Sequence, residues 1–446
     1  MTTSWLYARH HLAFIVGLLL AVSIAWWAEA NMPRPIQAWI DNFDEVLAID
    51  DGKPPLRAVP RELSEMEKYW ARTAWKYFQN NYQQETGMVN SVDGYPSTTL
   101  WDLGSYVMGA LSARELGIIQ EDELTQRIGT LLDSLAKIPL VNGKLPNKAY
   151  DTRTLKMTDY NNKPTEQGVG WSAIDIARFG VPMQIIVWRH PQLAAKVKAV
   201  INRWSFDEMV ENGELYTGSL GSDFQMHRYQ EGRFGYEQYA AKALVFMGLD
   251  VTKAARYDVG VAVTPVEGQP IAYDTRLPRN YKGTHNAVVS EPYILEGIEY
   301  GFNAITLPLA RSVLLAQKNR HARTNILTAV SEDHIDQKPW FVYYSVLNDL
   351  KPWAAFDSDH HDASDFRCLS SKAAMGWAEL FEGAYPLQLR NAVKGLINEE
   401  RGWYSGRYEK NGNINTAITG NTNGIILEIL AYQAKGPLLT LATKNE

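Results

Sequence analysis

The sequence predicts an all-α fold in which an inner ring of six buried helices is enclosed by an outer ring of amphipathic helices. A repeated segment supports this prediction. The five residues Ala-Tyr-Asp-Thr-Arg occur at 149–153 and again at 272–276, each time in a polar, aromatic-rich loop that precedes a new helix start. Loop-to-helix junctions of this kind occur six times in all. Such internal repetition indicates a fold that reuses one structural unit.

The six junctions predict where the inner helices begin. Small and apolar residues cover more than one face of each helix, which favours burial on all sides. The junctions lie at residues 99–104, 171–175, 234–239, 291–293, 370–374 and 421–424. More charged, amphipathic segments between them predict outer helices at 64–81, 121–136, 192–204, 305–319 and 386–396. No outer partner is evident for the inner helix that begins at Tyr236, so the total of twelve helices is inferred from the pattern.

Length and charge support one folded body. The chain has 446 residues, and no linker rich in Pro, Gly or Ser interrupts it after residue 60, so residues 61–446 are expected to form a single domain. Its net charge of −6 is spread over interspersed acidic and basic residues, which argues against nucleic acid as a partner. The chain has a single cysteine, Cys368, so no internal disulfide is possible.

The N-terminal residues resemble an export signal. Arg9 and two histidines precede the apolar run 12–28, and Ala28-Glu29-Ala30 forms a small-x-small cleavage pattern. Residues 1–30 are therefore expected to be either a cleaved signal peptide or an uncleaved inner-membrane anchor, followed by a proline-containing spacer at 31–60. Trp26 and Trp27 favour the anchor, because they lie where interfacial aromatic residues are expected. Both interpretations place the folded body outside the cytoplasm, in the periplasm.

Aromatic residues are abundant, with 14 Trp and 23 Tyr, and many lie at or near the junctions. Sugars stack on aromatic rings and bond to polar side chains, so an aromatic cleft with carboxylates predicts a poly- or oligosaccharide partner. The alternative is that these rings belong to the core. The candidate substrate-binding residues are Trp101, Trp171, His227, Arg233, Tyr236, Tyr239, Tyr293, Trp403 and Tyr404.

Carboxylates at the junctions are the candidate catalytic groups, because glycosidic hydrolysis needs one carboxylic acid and one carboxylate beside the scissile bond. The candidates are Glu237, Glu231, Asp102, Asp175 and Glu291. Glu231 and Glu237 are the favoured pair, with an ion pair between Glu231 and Arg233 as the alternative. Asp102 and Asp175 also fit a capping box that only starts a helix. Glu291 precedes Pro292 and also fits a cap position.

Two further clusters suggest other chemistry. Met226-His227-Arg228-Tyr229 would suit β-elimination on a uronate sugar, although the segment favours an ordinary loop at the edge of the cleft. Asp357, Asp359, His360, His361, Asp362 and Asp365 could supply metal ligands, but their spacing matches no metal loop and favours a solvated segment. No cofactor and no metal are expected.

Four segments resemble a known bacterial domain of unknown function. They are residues 86–89, 371–377, 401–409 and 421–428, and the resemblance extends over about 64–436. That domain is similar to the glycoamylase-like proteins, which are (α/α)6 toroids and include endo-β-1,2-glucanases. The resemblance implies a toroid with short β-hairpins and long loops at the cleft, and an association with exopolysaccharide synthase or export proteins.

Together these features predict a glycoside hydrolase of inverting mechanism that acts on a bacterial extracellular or periplasmic polysaccharide. A polysaccharide lyase on the same fold and a non-catalytic glycan-binding component of exopolysaccharide export are the alternatives. The two carboxyl groups are expected to come from different junctions and to lie about 6.5–9.5 Å apart.

Overall fold

The computed structural model describes residues 16–24, 26–27, 34–35, 60–277 and 286–439. Residues 16–24 and 26–27 are helical, with exposed apolar side chains. Among the described residues, no helix has both the length and the apolar character that crossing a membrane requires. The charged start of the predicted export signal, its Ala28-Glu29-Ala30 pattern and nearly all of the spacer lie outside the described residues.

Eleven α-helices form the framework of residues 60–439. In chain order they are α1 (Glu65–Asn80), α2 (Leu100–Glu115), α3 (Glu121–Leu135), α4 (Ala173–Arg189), α5 (Ala194–Ile201), α6 (Tyr236–Phe246), α7 (Glu291–Leu295), α8 (Thr306–Thr324), α9 (Ser371–Leu380), α10 (Ala384–Val393) and α11 (Gly420–Lys435). Helix α7 continues as a π-helical turn, Glu296–Tyr300. All six predicted junctions and all five predicted outer segments coincide with a helix.

Helices α2, α4, α6, α7, α9 and α11 form a closed inner ring. Each packs against the next, and α11 packs against α2, so the last helix closes on the first. Helices α2 and α11 pack backbone to backbone, because a Cβ atom added to Gly424 would lie 2.6 Å from the carbonyl oxygen of Ser105. Small residues on the inner helices therefore allow backbones to pack against one another, which explains their lack of an amphipathic stripe.

The described residues also contain twenty short strands, so the fold is mainly but not purely helical, and short β-hairpins were part of the expectation. They are β1 (Arg34–Pro35), β2 (Ser97–Thr98), β3 (Leu140–Val141), β4 (Leu145–Pro146), β5 (Ala149–Asp151), β6 (Met157–Thr158), β7 (Val210–Glu211), β8 (Glu214–Leu220), β9 (Met226–Gln230), β10 (Val261–Val266), β11 (Gln269–Asp274), β12 (Glu332–His334), β13 (Phe341–Tyr344), β14 (Leu347–Asn348), β15 (Lys351–Pro352), β16 (Ala355–Phe356), β17 (Cys368–Ser370), β18 (Ile397–Asn398), β19 (Gly402–Tyr408) and β20 (Ile414–Ile418).

These strands form small antiparallel sheets, and most of them lie in the segments that lead from an outer helix to the next inner helix. The sheet orders are β1-β10-β11, β2-β5-β6, β3-β4, β7-β8-β9, β12-β13-β16, β14-β15 and β17-β19-β18, with β20 paired to β19. Several strands end next to a junction: β2 leads directly into α2, and β17 leads directly into α9. The sheets therefore lie at the end of the ring where the inner helices begin.

The predicted twelfth helix is absent from the described residues. After α6 the chain enters the β10-β11 hairpin, which packs on α8 where an outer helix would be expected. The segment that follows α6 contains Pro265, Pro270 and several glycines, and a two-residue turn, Glu267-Gly268, with positive φ at both residues separates β10 from β11. This pattern favours a hairpin over a helix, which explains why no outer partner for α6 was evident.

Candidate functional site

Glu291, the first residue of α7, contacts residues from three other junctions. Its Oε1 atom accepts hydrogen bonds from Trp101 Nε1 on α2 at 3.2 Å and from Asn421 Nδ2 on α11 at 3.0 Å. Its Oε2 atom lies 2.5 Å from Lys372 Nζ on α9 and accepts a hydrogen bond from Ser331 at 3.3 Å. The helix starts therefore converge at one end of the ring.

Both carboxylate oxygens of Glu291 are occupied, and its side chain is only 2% exposed. Its partner Lys372 is buried as well, and Lys372 Nζ also lies 3.3 Å from Asp333 Oδ1 and donates to the carbonyl oxygen of Glu332. A buried carboxylate with a partner on each oxygen is held in one position. The contacts favour a positioning role for Glu291, which holds Trp101 in place.

Asp102 and Asp175 lie in the first turns of the neighbouring helices α2 and α4, and both are half-buried. Asp102 Oδ2 accepts hydrogen bonds from Ser91 Oγ at 2.5 Å and Thr99 Oγ1 at 2.8 Å. Asp175 Oδ1 accepts a hydrogen bond from Ser172 Oγ at 2.7 Å. In each carboxylate the second oxygen has no hydrogen-bond donor in the part of the chain that the structure describes.

Neither acid completes a capping box. Thr99 and Ser172 cap α2 and α4 with their hydroxyls, but the two carboxylates bond to those hydroxyls and not to the backbone amide of the cap residue. A complete box occurs on α1, where Glu67 Oε2 accepts from the backbone nitrogen of Ser64 at 2.9 Å. The capping interpretation therefore does not account for the carboxylates of Asp102 and Asp175.

The electrostatic environment distinguishes Asp175 from the other carboxyls. Burial raises its pKa to about 7, and the negative charges of Asp102 and Glu231 act in the same direction, against the hydrogen bond from Ser172 and the charge of Arg233. A carboxyl group with a pKa near 7 retains its proton in a large fraction of molecules at neutral pH. Asp175 can therefore act as a proton donor.

Glu231 and Glu237, the favoured pair from the sequence, are both buried. Glu231 accepts a hydrogen bond from Thr217, and burial raises its pKa. The predicted ion pair with Arg233 is not formed, because Arg233 pairs with Glu332.

Glu237 has a different partner on each oxygen. Oε1 accepts from Gln230 Nε2 at 2.7 Å, and Oε2 lies 2.8 Å from the guanidinium of Arg276. Burial raises its pKa to about 8, and the charge of Arg276 opposes that shift. With both oxygens bonded and no exposed surface, Glu237 links α6 to the second repeated loop, which favours a structural role.

Each of the two Ala-Tyr-Asp-Thr-Arg segments is stiffened by an internal ion pair. Asp151 lies 3.2 Å from the Arg153 guanidinium, and Asp274 lies 2.5 Å from that of Arg276. Tyr150 and Tyr273 are buried in the core, so neither tyrosine is available to a sugar.

Most of the predicted aromatic contacts belong to the core. Trp171, Tyr236, Tyr239, Tyr293 and Trp403 are buried, while Trp101 and Tyr404 are half-buried. The Trp101 ring packs edge-on against Tyr236, with centroids 5.3 Å apart. His227 lies on exposed strand β9 and pairs with Asp223 at 3.0 Å. Trp101 and Tyr404 therefore remain the aromatic residues of the predicted set that can contact a ligand.

Two tyrosines near Asp175 were missed by the sequence reasoning. Tyr160 is 64% exposed, and the negative charge of Asp175 acts on its hydroxyl. Burial raises the pKa of Tyr343, with Arg233 lowering it and Asp175 raising it. Both tyrosines are therefore within electrostatic range of the Asp175 carboxyl. The sequence of β13, Phe-Val-Tyr-Tyr, does not alternate between apolar and polar residues, so it gave no signal for Tyr343.

The acidic and histidine-rich loop at 357–365 has no metal-binding geometry. Asp357 Oδ1 accepts hydrogen bonds from the backbone nitrogens of Asp359 and His361, both at 2.9 Å, which makes it a turn residue. Among the described residues no group of three or more His, Cys, Asp or Glu side chains is placed to hold a metal ion.

The model of the family described as "Protein of unknown function (DUF3131)" matches residues 69–436. No curated protein matches the chain.

Solved structures with a similar fold come from polysaccharide-active proteins. An endo-β-1,2-glucanase from Chitinophaga pinensis, in complex with sophorotriose and glucose, has a TM-score of 0.60 at 12% identity, over 85% of this chain and 95% of that chain. A proposed glucoamylase from Bacteroides caccae has a TM-score of 0.61 at 14% identity, over 84% and 95%. An endo-β-1,2-glucanase from Talaromyces funiculosus, in complex with sophorose, has a TM-score of 0.55 at 11% identity, over 85% of each chain. The chain therefore has a glycoamylase-like fold.

Proposed function

The chain belongs to the DUF3131 family, and we propose that it is an inverting glycoside hydrolase that acts on a bacterial extracellular or periplasmic polysaccharide. The observation that carries the proposal is the pair of half-buried carboxyls, Asp102 and Asp175, at adjacent helix starts on a glycoamylase-like fold. We further propose that residues 61–446 form one catalytic domain.

Asp175 is the general acid in this proposal and Asp102 the general base. The Asp175 carboxyl gives its proton to the glycosidic oxygen as the bond from that oxygen to the anomeric carbon breaks. A water molecule attacks the anomeric carbon from the opposite face, and the free oxygen of Asp102 takes the proton that this water loses. The products are a sugar with an inverted reducing end and a released alcohol, and both carboxyls return to their starting state after proton exchange with solvent.

The placement of the two acids supports inversion. Both occupy the third position of the first helical turn, in helices that pack side by side. Packed helices have axes about 8–10 Å apart. Equivalent positions on such helices suit the separation of about 6.5–9.5 Å that leaves room for a water molecule.

Two cations near the junctions already have carboxylate partners, which supports hydrolysis over elimination. A lyase needs a cation to neutralise the uronate carboxylate. Lys372 is paired with Glu291, and Arg233 is paired with Glu332. The His227 segment, which suggested a lyase, lies on exposed strand β9 with His227 paired to Asp223.

The first prediction concerns the products. Incubation of the protein with linear β-1,2-glucan, the polymer on which the similar glucanases act, is expected to release new reducing ends. Proton NMR of the earliest products is expected to show the anomer opposite to that of the substrate bond, because water attacks directly. Other neutral bacterial glucans serve as comparison polymers.

Net retention of the anomeric configuration would contradict the assigned roles of Asp102 and Asp175. Products that absorb in the ultraviolet, released from a uronate polymer, would identify a lyase. Binding to a glucan without release of reducing ends would favour the glycan-binding component.

The second prediction concerns location. We propose that the apolar run 12–28 holds the protein at the inner membrane with its body in the periplasm, where an exopolysaccharide synthase or export proteins could deliver the polymer. The protein is expected in the membrane fraction, with its N-terminus intact. A soluble periplasmic form whose first residue is Asn31 would show that the segment is a cleaved signal peptide.

A further inference from the structure

The hairpin formed by β12 and β13 presents an aromatic face beside the starts of α7 and α9. In the register of this hairpin Glu332 is opposite Tyr343 and His334 is opposite Phe341. These four residues share one face and are half-buried, whereas Asp333 and Val342 on the other face are buried. The rings form a continuous series, with centroids 4.9 Å apart for His334 and Phe341 and 5.0 Å apart for Phe341 and Tyr343.

The aromatic face extends from the helix junctions toward solvent. At its inner end Glu332 pairs with Arg233, and the carbonyl oxygen of Glu332 accepts a hydrogen bond at 2.7 Å from Lys372, which pairs with Glu291. At its outer end Trp340 follows the turn of the hairpin and is 55% exposed. The three steps from Tyr343 to Trp340 cover ~10 Å of extended chain, which is about the length of two pyranose rings.

The outer end of the hairpin is rigid although it is exposed. Asp336 in the turn accepts hydrogen bonds from Tyr408 Oη at 2.5 Å and from the backbone nitrogen and hydroxyl of Thr416 at 2.8 and 2.7 Å. Asn415 Nδ2 donates to the carbonyl oxygen of His334 at 2.8 Å. Strands β19 and β20 therefore fix the hairpin before any ligand binds, which lowers the entropic cost of binding.

Trp340 also has an unfavourable backbone conformation. Its φ of +74° lies in the left-handed region, which bulky residues rarely adopt and which costs about 1–2 kcal/mol. A strained residue with an exposed indole contributes little to the core. Such residues concentrate at binding and catalytic sites.

We propose that the His334, Phe341 and Tyr343 face of the hairpin, together with the exposed Trp340 at its tip, is a carbohydrate subsite that binds about two sugar residues beyond the point of cleavage. The proposal rests on the proposed function, and it makes the substrate a polymer cleaved within its chain. Flat rings suit the C–H faces of sugars, and Glu332, the one carboxylate on this face, is already paired with Arg233.

Binding can be tested separately from turnover by affinity electrophoresis through gels that contain β-1,2-glucan or another linear neutral glucan. Trp340→Ala and Phe341→Ala, each made in the Asp175→Asn background to prevent hydrolysis, are expected to weaken polymer binding about tenfold. Binding of a disaccharide is expected to change little, because it does not reach the outer end of the hairpin.

Trp188→Ala in the same background is the matched control. Trp188 is 50% exposed near the C-terminal end of α4, about 20 Å along that helix from Asp175, and its loss is expected to leave retardation unchanged. If a glucan retards the two hairpin variants as strongly as the Trp188→Ala control, the subsite is overturned even if the parent protein releases reducing ends. The subsite is also overturned if no glucan retards the protein. Retardation lost in the hairpin variants without any release of reducing ends would uphold the subsite and contradict the proposed function. Thermal unfolding midpoints of the two hairpin variants within a few degrees of the parent would exclude misfolding as the cause.

Discussion

Replacing Asp175 by asparagine is expected to lower kcat/KM on the polymer by about 10²–10⁴, the usual contribution of a general acid. Asparagine keeps the size of the side chain and can still accept the hydrogen bond from Ser172, but it has no proton to transfer. Affinity for the polymer should remain, since the change removes no ring or charge that contacts the sugar in the ground state. Release of reducing ends at saturating and limiting polymer concentrations measures both quantities.

The pH dependence gives an independent signature of Asp175. A general acid works in its protonated form, and the pKa of this carboxyl is about 7. Activity should therefore fall about tenfold for each pH unit above 7, and the residual activity of Asp175→Asn should lack this alkaline limb. Asp122→Asn is the matched control, because Asp122 lies in the first turn of outer helix α3 and is exposed. A variant of Asp175 that keeps both its rate and its alkaline limb would show that another group donates the proton.

Asp175→Asn should lower the activity but raise the stability of the protein at alkaline pH. The pKa of Asp175 is raised from 3.8 to about 7 on folding, so the native state binds this proton more tightly than the unfolded state. The free energy of unfolding therefore decreases as the pH rises from about 4 to 7, and the loss is complete above pH 7. Asp175→Asn removes this loss, so the inactive variant should be more stable than the parent at pH 8. A variant that is both inactive and less stable would indicate a structural role.

The positions of the inner helices could be predicted from the sequence, because each inner helix start has a local signature. Hydroxyl caps at Thr99 and Ser172, Pro292 in the first turn of α7 and small residues within the helices are readable without tertiary information. The β10-β11 hairpin in place of a twelfth helix was not predicted, because the repeat led us to expect one. The strands at the cleft are two to seven residues long, which is too short for a clear alternating pattern.

The roles of the carboxylates could not be predicted, because they depend on partners that are distant in the sequence. The sequence around Glu237 fits a catalytic position. In the structure Arg276, 39 residues later, bonds to the Glu237 carboxylate. Glu291 is occupied by Lys372, 81 positions away by the difference of their numbers. Glu237→Gln should consequently change the stability of the protein more than its rate. Tyr160 and Tyr343 lie in loop and hairpin segments whose approach to Asp175 depends on the closure of the whole ring.

One signal in the sequence had a clear structural meaning that was not recognised. Arg178 and Glu428 each interrupt an apolar stretch of an inner helix. Charged residues in such stretches are almost never fully buried unless they are paired. In the structure Arg178 bonds to Glu299 after α7, to Glu428 on α11 at 2.6 Å and to Tyr239 on α6 at 2.6 Å. Four inner helices, α4 included, are thus joined through one guanidinium in the interior of the ring.

Replacing Arg178 by methionine is expected to lower the free energy of unfolding by about 3–5 kcal/mol, the largest effect on stability that we predict. Arg178 and both glutamates have no exposed side-chain surface, so removal of the cation leaves a buried negative charge without compensation. Burial already raises the pKa of Glu428 well above its usual range, against the charge of Arg178. Loss of that charge should raise it further.

Urea unfolding followed by tryptophan fluorescence measures the change. Arg114→Met is the matched control, because Arg114 forms ion pairs at the surface, where such pairs contribute about 0–1 kcal/mol. Adding Glu299→Gln to Arg178→Met should restore part of the lost stability, since the neutral amide removes the uncompensated charge and can still accept from the Tyr239 hydroxyl. If the double variant is as unstable as Arg178→Met alone, the lost stability comes from packing around the arginine and not from the buried charge.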